Sequence, residues 1–391
     1  MLLFAVSSKE AVRSLNSPAL SGQEVARLLE HRAISDGTPV YLDEETMMPV
    51  EPLCTWGRGL SYADLAESTL KDYGRIMARF AGHQESRGHD VLIVTESDQV
   101  TYKRARTQLQ ERPIGSSAWG KESGVLDRFF KFAVKEGYLQ NAPARVAARG
   151  RNASAPRVRS GMDIRHLTLE QYRYFRDVGL GGQHPDSRVD RTFRGWAPLR
   201  NRAGSDLALG TGMRPREWAT VLLPELGIGV NRPGQAAEFT VQACAKYGKA
   251  RTVYAPEEAV GAVETYVLLE RPELTAGAAR TLERRHRDLF VVSRVDPDSG
   301  LISGVLDGVR RVFDMKAMPP ALRRIAVREG DFGLEALAVF VCRSGLVPGA
   351  DSWKRYRHTA WRRMQDRVDA TTPLLPARRW RWHDLRHIAS A

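Results

Sequence analysis

The sequence predicts a mainly α chain of the α+β class, with an N-terminal helical domain and a mixed, mostly helical C-terminal domain that carries a small β-sheet or hairpin. Three observations carry this prediction. The chain has 391 residues, beyond the ~250 at which a single hydrophobic core stops growing. Apolar residues recur at helical spacing from 61 to 143 and return to that spacing after 166. The period drops to two only locally, above all in Glu238-Phe-Thr-Val-Gln-Ala-Cys244 and Arg251-Thr-Val-Tyr254, which reads as a hairpin with Gly248 at its tip.

Residues 1 to 56 form a turn-rich N-terminal extension with one expected helix, Gly22 to His31, and no assignable chemistry. From Ser61 the pattern tightens. Leu70, Tyr73, Ile76, Met77 and Phe80 mark one helix, with Ser68 or Thr69 as its cap. A second helix is expected from Glu96 to Leu109. The third runs from Ser117 to Glu136 with Trp119, Leu126, Phe129, Phe130 and Ala133 on its apolar face, and Gly137 and Asn141-Ala-Pro143 end it. These helices make a domain over 57–143. Its basic residues off the apolar stripe, Lys103, Arg104, Lys121 and Arg128, are the candidate DNA contacts. The Arg-, Ala- and Ser-rich stretch 144–165 has no apolar period and reads as a basic linker.

The second domain, 166–391, opens with Thr168-Leu-Glu-Gln171, which has the form of a capping box. Helices are expected from Tyr172 to Val178 and from Leu199 to Leu209. After the hairpin, Pro256 starts a helix running to Glu270, and an Arg-rich helical segment follows. A small inserted β unit is expected near 289–318, a helix from Pro319 to Arg328 and a strand from Ala338 to Val341. The helix Ser352 to Val368 turns Trp353, Tyr356, Ala360, Met364 and Val368 inward and surrounds them with Lys354, Arg355, Arg357 and further arginines. Lys354, Arg355 and Arg357 are its candidate DNA contacts.

Composition narrows the partner. Lys and Arg number 59 against 46 Asp and Glu, a net charge of +13, and such a field concentrates polyanions. Duplex DNA is the expected partner. No run of about 18 apolar residues marks a membrane span, and no membrane partner is expected. Three cysteines, Cys54, Cys244 and Cys342, lie far apart, which excludes both a disulfide frame and a Cys-based zinc site and fits a cytoplasmic protein. No phosphate-binding loop of the GxxxxGK[ST] type and no cluster of metal ligands is present, so neither a cofactor nor a metal is implied.

The stretch Leu207 to Leu223, LALGTGMRPREWATVLL, organises the C-terminal domain. Two glycines make a turn, Pro215 suits only the first turn of a helix, and the apolar run after it is expected to continue that helix. Arg214 then stands at the cap and Glu217 at the third helical position, where its carboxylate can reach back to free amides. A guanidinium placed there is suited to a phosphate. Further on come the two turn lysines of AKYGKAR, among only ten lysines in the chain, and the terminal Trp380-Arg-Trp-His-Asp-Leu-Arg-His387.

In this order, TGMRPRE, AKYGKAR and HDLRH, the C-terminal two thirds resembles the catalytic domain of the tyrosine recombinases, the phage-integrase family. The helical region ending in FFKFAVKEGYLQNAP is similar to that family's core-binding domain, so the likeness spans residues 57 to 391. The resemblance implies that Arg214 and Arg386 hold the scissile phosphate, Lys246 is the general acid, His383 assists at the phosphate, and Glu217 and His387 support. It also implies site-specific cleavage and rejoining of DNA through a 3′-phosphotyrosyl link. A homotetramer on DNA is implied, and accessory DNA-bending or directionality proteins are compatible with it. The physics is consistent: charge builds on the non-bridging oxygens during transesterification, and two guanidinium forks would stabilise it, each by about 3 kcal/mol.

The family's nucleophilic tyrosine follows the second-arginine motif, whereas this sequence ends at Ala391. The expectation is a fragment or a truncated form without the nucleophile, so no catalytic tyrosine is assigned. Alternatives are a non-catalytic DNA-binding protein of the same fold and a type IB topoisomerase.

Overall fold

The computed structural model describes residues 1–15, 20–63, 65–143, 146–147, 151–152, 167–228, 235–245, 248–369, 372–375 and 379–388. The chain divides into two compact units, Met1–Asp163 and Ile164–Ala391. Both are built mainly of helices with small sheets, as expected for the α+β class. Among the described residues, no helix is long and apolar enough to cross a membrane.

In the first unit, β1 (Leu2–Ala5) pairs antiparallel with β2 (Pro39–Leu42), and α1 (Ser8–Ser14) and α2 (Gly22–His31) lie between them. The α2 start is locally encoded: the Ser21 hydroxyl accepts from the Glu24 amide while Glu24 accepts from the Ser21 amide at 2.7 Å. Four further helices follow, α3 (Leu53–Ser61), α4 (Glu67–Glu85), α5 (Glu96–Arg104) and α6 (Ser116–Lys135), and α5 runs on as a π-helical turn, Ala105–Leu109. Tyr41, Leu53 and Trp56 from the first 56 residues share one core with Leu70, Met77, Phe80, Phe129 and Phe130. Gly74 allows α4 to close on β2, since a Cβ there would lie 2.8 Å from Pro39. The cap of α4 differs from expectation. Ala66 holds that place without a side-chain hydrogen bond, because the helix begins ahead of Ser68 and Thr69. The short pair β3 (Val146–Ala147) and β4 (Arg151–Asn152) falls in the stretch read as a linker.

The second unit opens with α7 (Leu169–Tyr174) under its expected capping box; the helix starts at Leu169 and not at the expected Tyr172, because the Thr168 cap opens it directly, and a π-helical turn, Phe175–Leu180, extends it. Next come α8 (Pro198–Thr211), α9 (Pro215–Trp218), the hairpin β5 (Ala237–Val241) and β6 (Arg251–Ala255), α10 (Glu257–Leu269) and α11 (Arg271–Arg284). Then β7 (Phe290–Val295), β8 (Leu301–Leu306), β9 (Val309–Asp314), α12 (Pro320–Arg323), β10 (Ala326–Gly330) and β11 (Gly333–Ala336) build a five-stranded sheet in the order β11-β10-β7-β8-β9. The unit ends in α13 (Ala350–Asp366) and α14 (Leu385–Ile388).

Five local expectations are corrected. The inserted β unit is larger than the span near 289–318, because β10 pairs parallel with β7 and β11 antiparallel with β10. Helix covers only Pro320–Arg323 of the span from Pro319 to Arg328; the strand partners override the weak local preference of Ala326-Val-Arg. No regular strand spans Ala338 to Val341, where a single bridge joins Leu222 to Ala338. The apolar run after Pro215 does not continue the helix. Instead Val221 and Leu223 exchange backbone hydrogen bonds with Val339 and Leu337 at 2.9 and 3.0 Å. In α13, Trp353, Ala360 and Met364 are buried as expected. Val368 lies beyond its last turn and is exposed.

Candidate active site

The turn before α9 forms as its glycines dictate. Gly212 closes α8 with φ of 58°, a left-handed value that costs glycine little, and Gly210 packs where a Cβ would come within 2.9 Å of Pro256. Arg214, extended at φ −71° and ψ 153°, stands at the cap of α9, and Pro215 opens the helix. Glu217 reaches back as its position predicts: Oε2 accepts from the Arg214 amide at 2.7 Å and Oε1 from Arg214 Nη1 at 3.1 Å.

A second guanidinium meets the same carboxylate. Arg251, the first residue of β6, donates from Nη1 to Oε1 at 3.0 Å and from Nη2 to Oε2 at 2.5 Å. The Glu217 side chain is fully buried, whereas those of Arg214 and Arg251 keep 33% and 31% of their surface exposed. Burial pushes the Glu217 pKa upward, yet the hydrogen bonds from Arg251 and Arg214 outweigh it and hold the group below its ordinary value. The carboxylate is therefore ionised at neutral pH.

Arg386 reaches this place from the far end of the chain. Trp218 of α9 packs edge-on against Trp353 of α13 at 4.6 Å and tilted against Trp382 at 5.4 Å, and Trp382 Nε1 donates to the Trp353 carbonyl at 2.7 Å. The Arg357 guanidinium donates to the Trp380 carbonyl. This indole cluster seats the turn before α14, where Asp384 accepts from the Arg381 amide at 2.7 Å. Arg386 then lies within the fields of Arg214 and Arg251: burial first, and these two neighbours next, hold its pKa below the usual arginine value, with Glu217 opposing. His383 is exposed in the turn just ahead of α14.

No protein-family model matches the chain. No curated protein matches it. Among solved structures it is similar to one described as "Crystal structure of XerH site-specific recombinase bound to palindromic difH substrate: post-cleavage complex". The TM-score is 0.40 and the identity 12%, over 84% of this chain and 70% of that chain.

The other expected site residues are distributed unevenly. Lys246 lies outside the described residues, as does the side chain of His387; nearby, Gly248 takes φ of 63° and Lys249 is exposed. In the first unit, Lys121 pairs with Asp72 at 2.5 Å, Arg128 lies over Tyr73 and Lys103 over Trp119; Arg104 is exposed in the last turn of α5. On α13, Lys354 pairs with Asp351 at 2.9 Å, Arg357 is half-buried against Trp380, and Arg355 is exposed. Among the described residues, no group of three or more His, Cys, Asp or Glu is placed to hold a metal ion.

Arg251 was not singled out from the sequence. Its only local signal is a basic residue at the start of the returning strand, a common type at a common place. Its partner Glu217 lies in a separate motif, and only the packing of β6 beside α9 brings the two together.

Proposed function

We propose that this chain binds duplex DNA and belongs mechanistically with the tyrosine recombinases, acting on a phosphodiester held between Arg214 and Arg386. The observation that carries the reading is the seating of Arg214 on a buried carboxylate shared with Arg251, with Arg386, from a separate motif, near enough to feel the charges of both arginines. Guanidinium forks set in advance around a phosphoryl group stabilise the charge that develops on its non-bridging oxygens, and do so best where water is partly excluded. Glu217 orients Arg214 and does not itself react. In the same reading Lys246 donates the proton to the 5′-oxygen leaving group, with His383 at the phosphate and His387 in support. No cofactor takes part. A homotetramer on DNA and a site-specific exchange of strands belong to this proposal as well.

The test is a duplex library selected for binding, followed by a nicked suicide substrate made from the bound sequence. In a protein that supplies the family's nucleophilic tyrosine, a covalent protein–DNA adduct is the expected result. Specific binding with no adduct would favour the non-catalytic reading, and relaxation of supercoiled DNA without sequence preference would favour a type IB topoisomerase.

A further inference from the structure

Glu217 holds more positive charge than it needs. Arg251 alone satisfies it, with two N–H groups on two carboxylate oxygens, the two-pronged geometry that is strongest for this pair. Arg214 then spends one side-chain N–H on Oε1, and the remainder of its fork is directed by that one contact. Two guanidinia therefore pair with one carboxylate, an excess of one positive charge, and Arg386, the other arm of the proposed clamp and within reach of their charges, raises that excess to two. Like charges gathered at a half-buried place repel one another and lose hydration. An arrangement of this kind is favourable when a multiply charged oxyanion occupies it.

We infer that Arg251 is a positioning residue of this site: its pairing with Glu217 sets the direction of the Arg214 fork and brings a third positive charge to a cradle for a dianionic phosphoryl group. The inference rests on the reading of Arg214 and Arg386 as a phosphate clamp. A phosphodiester carries one negative charge and its five-coordinate transition state two, so the excess matches the second better than the first. Arg251 also stands directly after the turn between β5 and β6, opposite Val241. The same ion pair therefore ties the hairpin to α9.

The probes are orthophosphate and orthovanadate, each added alone to the full chain, with thermal unfolding as the readout. Vanadate adopts the five-coordinate geometry and should raise Tm at lower concentration than phosphate. R251Q should lower the anion-free Tm and weaken vanadate binding at least about tenfold. R251K, which keeps the charge and loses the fork, should recover part of that binding. The double variant E217Q/R251Q removes carboxylate and partner together, so it should regain most of the anion-free Tm and still bind vanadate weakly. Parental vanadate affinity in R251Q or in the double variant would overturn the inference, because Arg251 would then serve only to neutralise Glu217. If R214A loses vanadate binding while R251Q keeps it, the clamp stands and Arg251 has no part in it. If the parent and R214A both fail to respond, the clamp reading falls and takes the inference with it.

Discussion

At the scale of single residues, the behaviour of Glu217 decides what Arg214 can do. Its carboxylate is buried and holds the Arg214 amide and guanidinium together, so Arg214 is fixed at both ends of its side chain. In a protein that supplies the nucleophilic tyrosine, Arg214→Ala should reduce adduct formation on a suicide substrate by about 10²–10³-fold while leaving most duplex affinity, which many basic residues share. Loss of affinity in step with activity would make Arg214 a general DNA contact instead. Glu217 also predicts a pH dependence. Its folded pKa lies below the ordinary value, so the stability it contributes is present above the unfolded value of about 4.3 and is lost as pH falls through the folded value. Urea unfolding of Glu217→Gln should show a flatter loss below about pH 4.3 than the parent. At neutral pH the variant should be less stable by about 3 kcal/mol, since two guanidinia lose their counter-charge.

At the scale of elements, the β-sheet is locked to the site by a different buried ion pair. Arg323 at the end of α12 donates to Glu225 at 2.6 and 2.7 Å and to the carbonyls of Met318, Met315 and Thr220, and both side chains are almost fully buried. Glu225 sits in the short 3-10 turn Leu223–Leu226, immediately after the segment that α9 begins. Glu225→Gln should cost about 3–5 kcal/mol in chemical denaturation, because Arg323 would remain buried without its charge partner. The double change Arg323→Met with Glu225→Leu should cost far less than the sum of the single changes. A second anchor serves α13: Asp190 accepts from Thr192, Arg363 and Arg367, with the two arginine contacts at 2.5 and 2.8 Å. The loop 190–197 is held against that helix in this way.

At the scale of the whole molecule, the net charge of +13 makes salt the informative variable. Each phosphate neutralised contributes about 0.9 to the slope of log affinity against log salt. In the second unit a cavity of about 750 Å³ between α13 and the 192–196 loop has Arg194, Arg355 and Arg362 at its rim. Arg355→Ala should make the slope shallower by about 0.9 and weaken binding to all duplexes alike. Fluorescence anisotropy from 50 to 200 mM salt, roughly the range where such slopes are well resolved, would measure it. An unchanged slope would remove Arg355 from the DNA surface. Lys121 and Lys354, each already paired with an aspartate, should change the slope less.

What the sequence determined by itself was whatever depends on neighbours within a few residues. Ser21 with Glu24 and Thr168 with Gln171 each form the reciprocal cap contact that their spacing encodes, Glu217 accepts from the Arg214 amide as its position predicts, and the helices from Gly22 and Glu96 begin where the residues say. The apolar stripes of α4 and α6 are buried for the same reason. Tertiary structure decided what depends on partners far along the chain. Ala326–Gly330 became a strand because β7 and β11 flank it, and the run after Trp218 left the helix because residues 337–339 supply its hydrogen bonds. Arg251 met Glu217 only when β6 packed beside α9. Local hydrogen bonds are written in spacing; a shared carboxylate between distant segments is written only in the packing that brings them together.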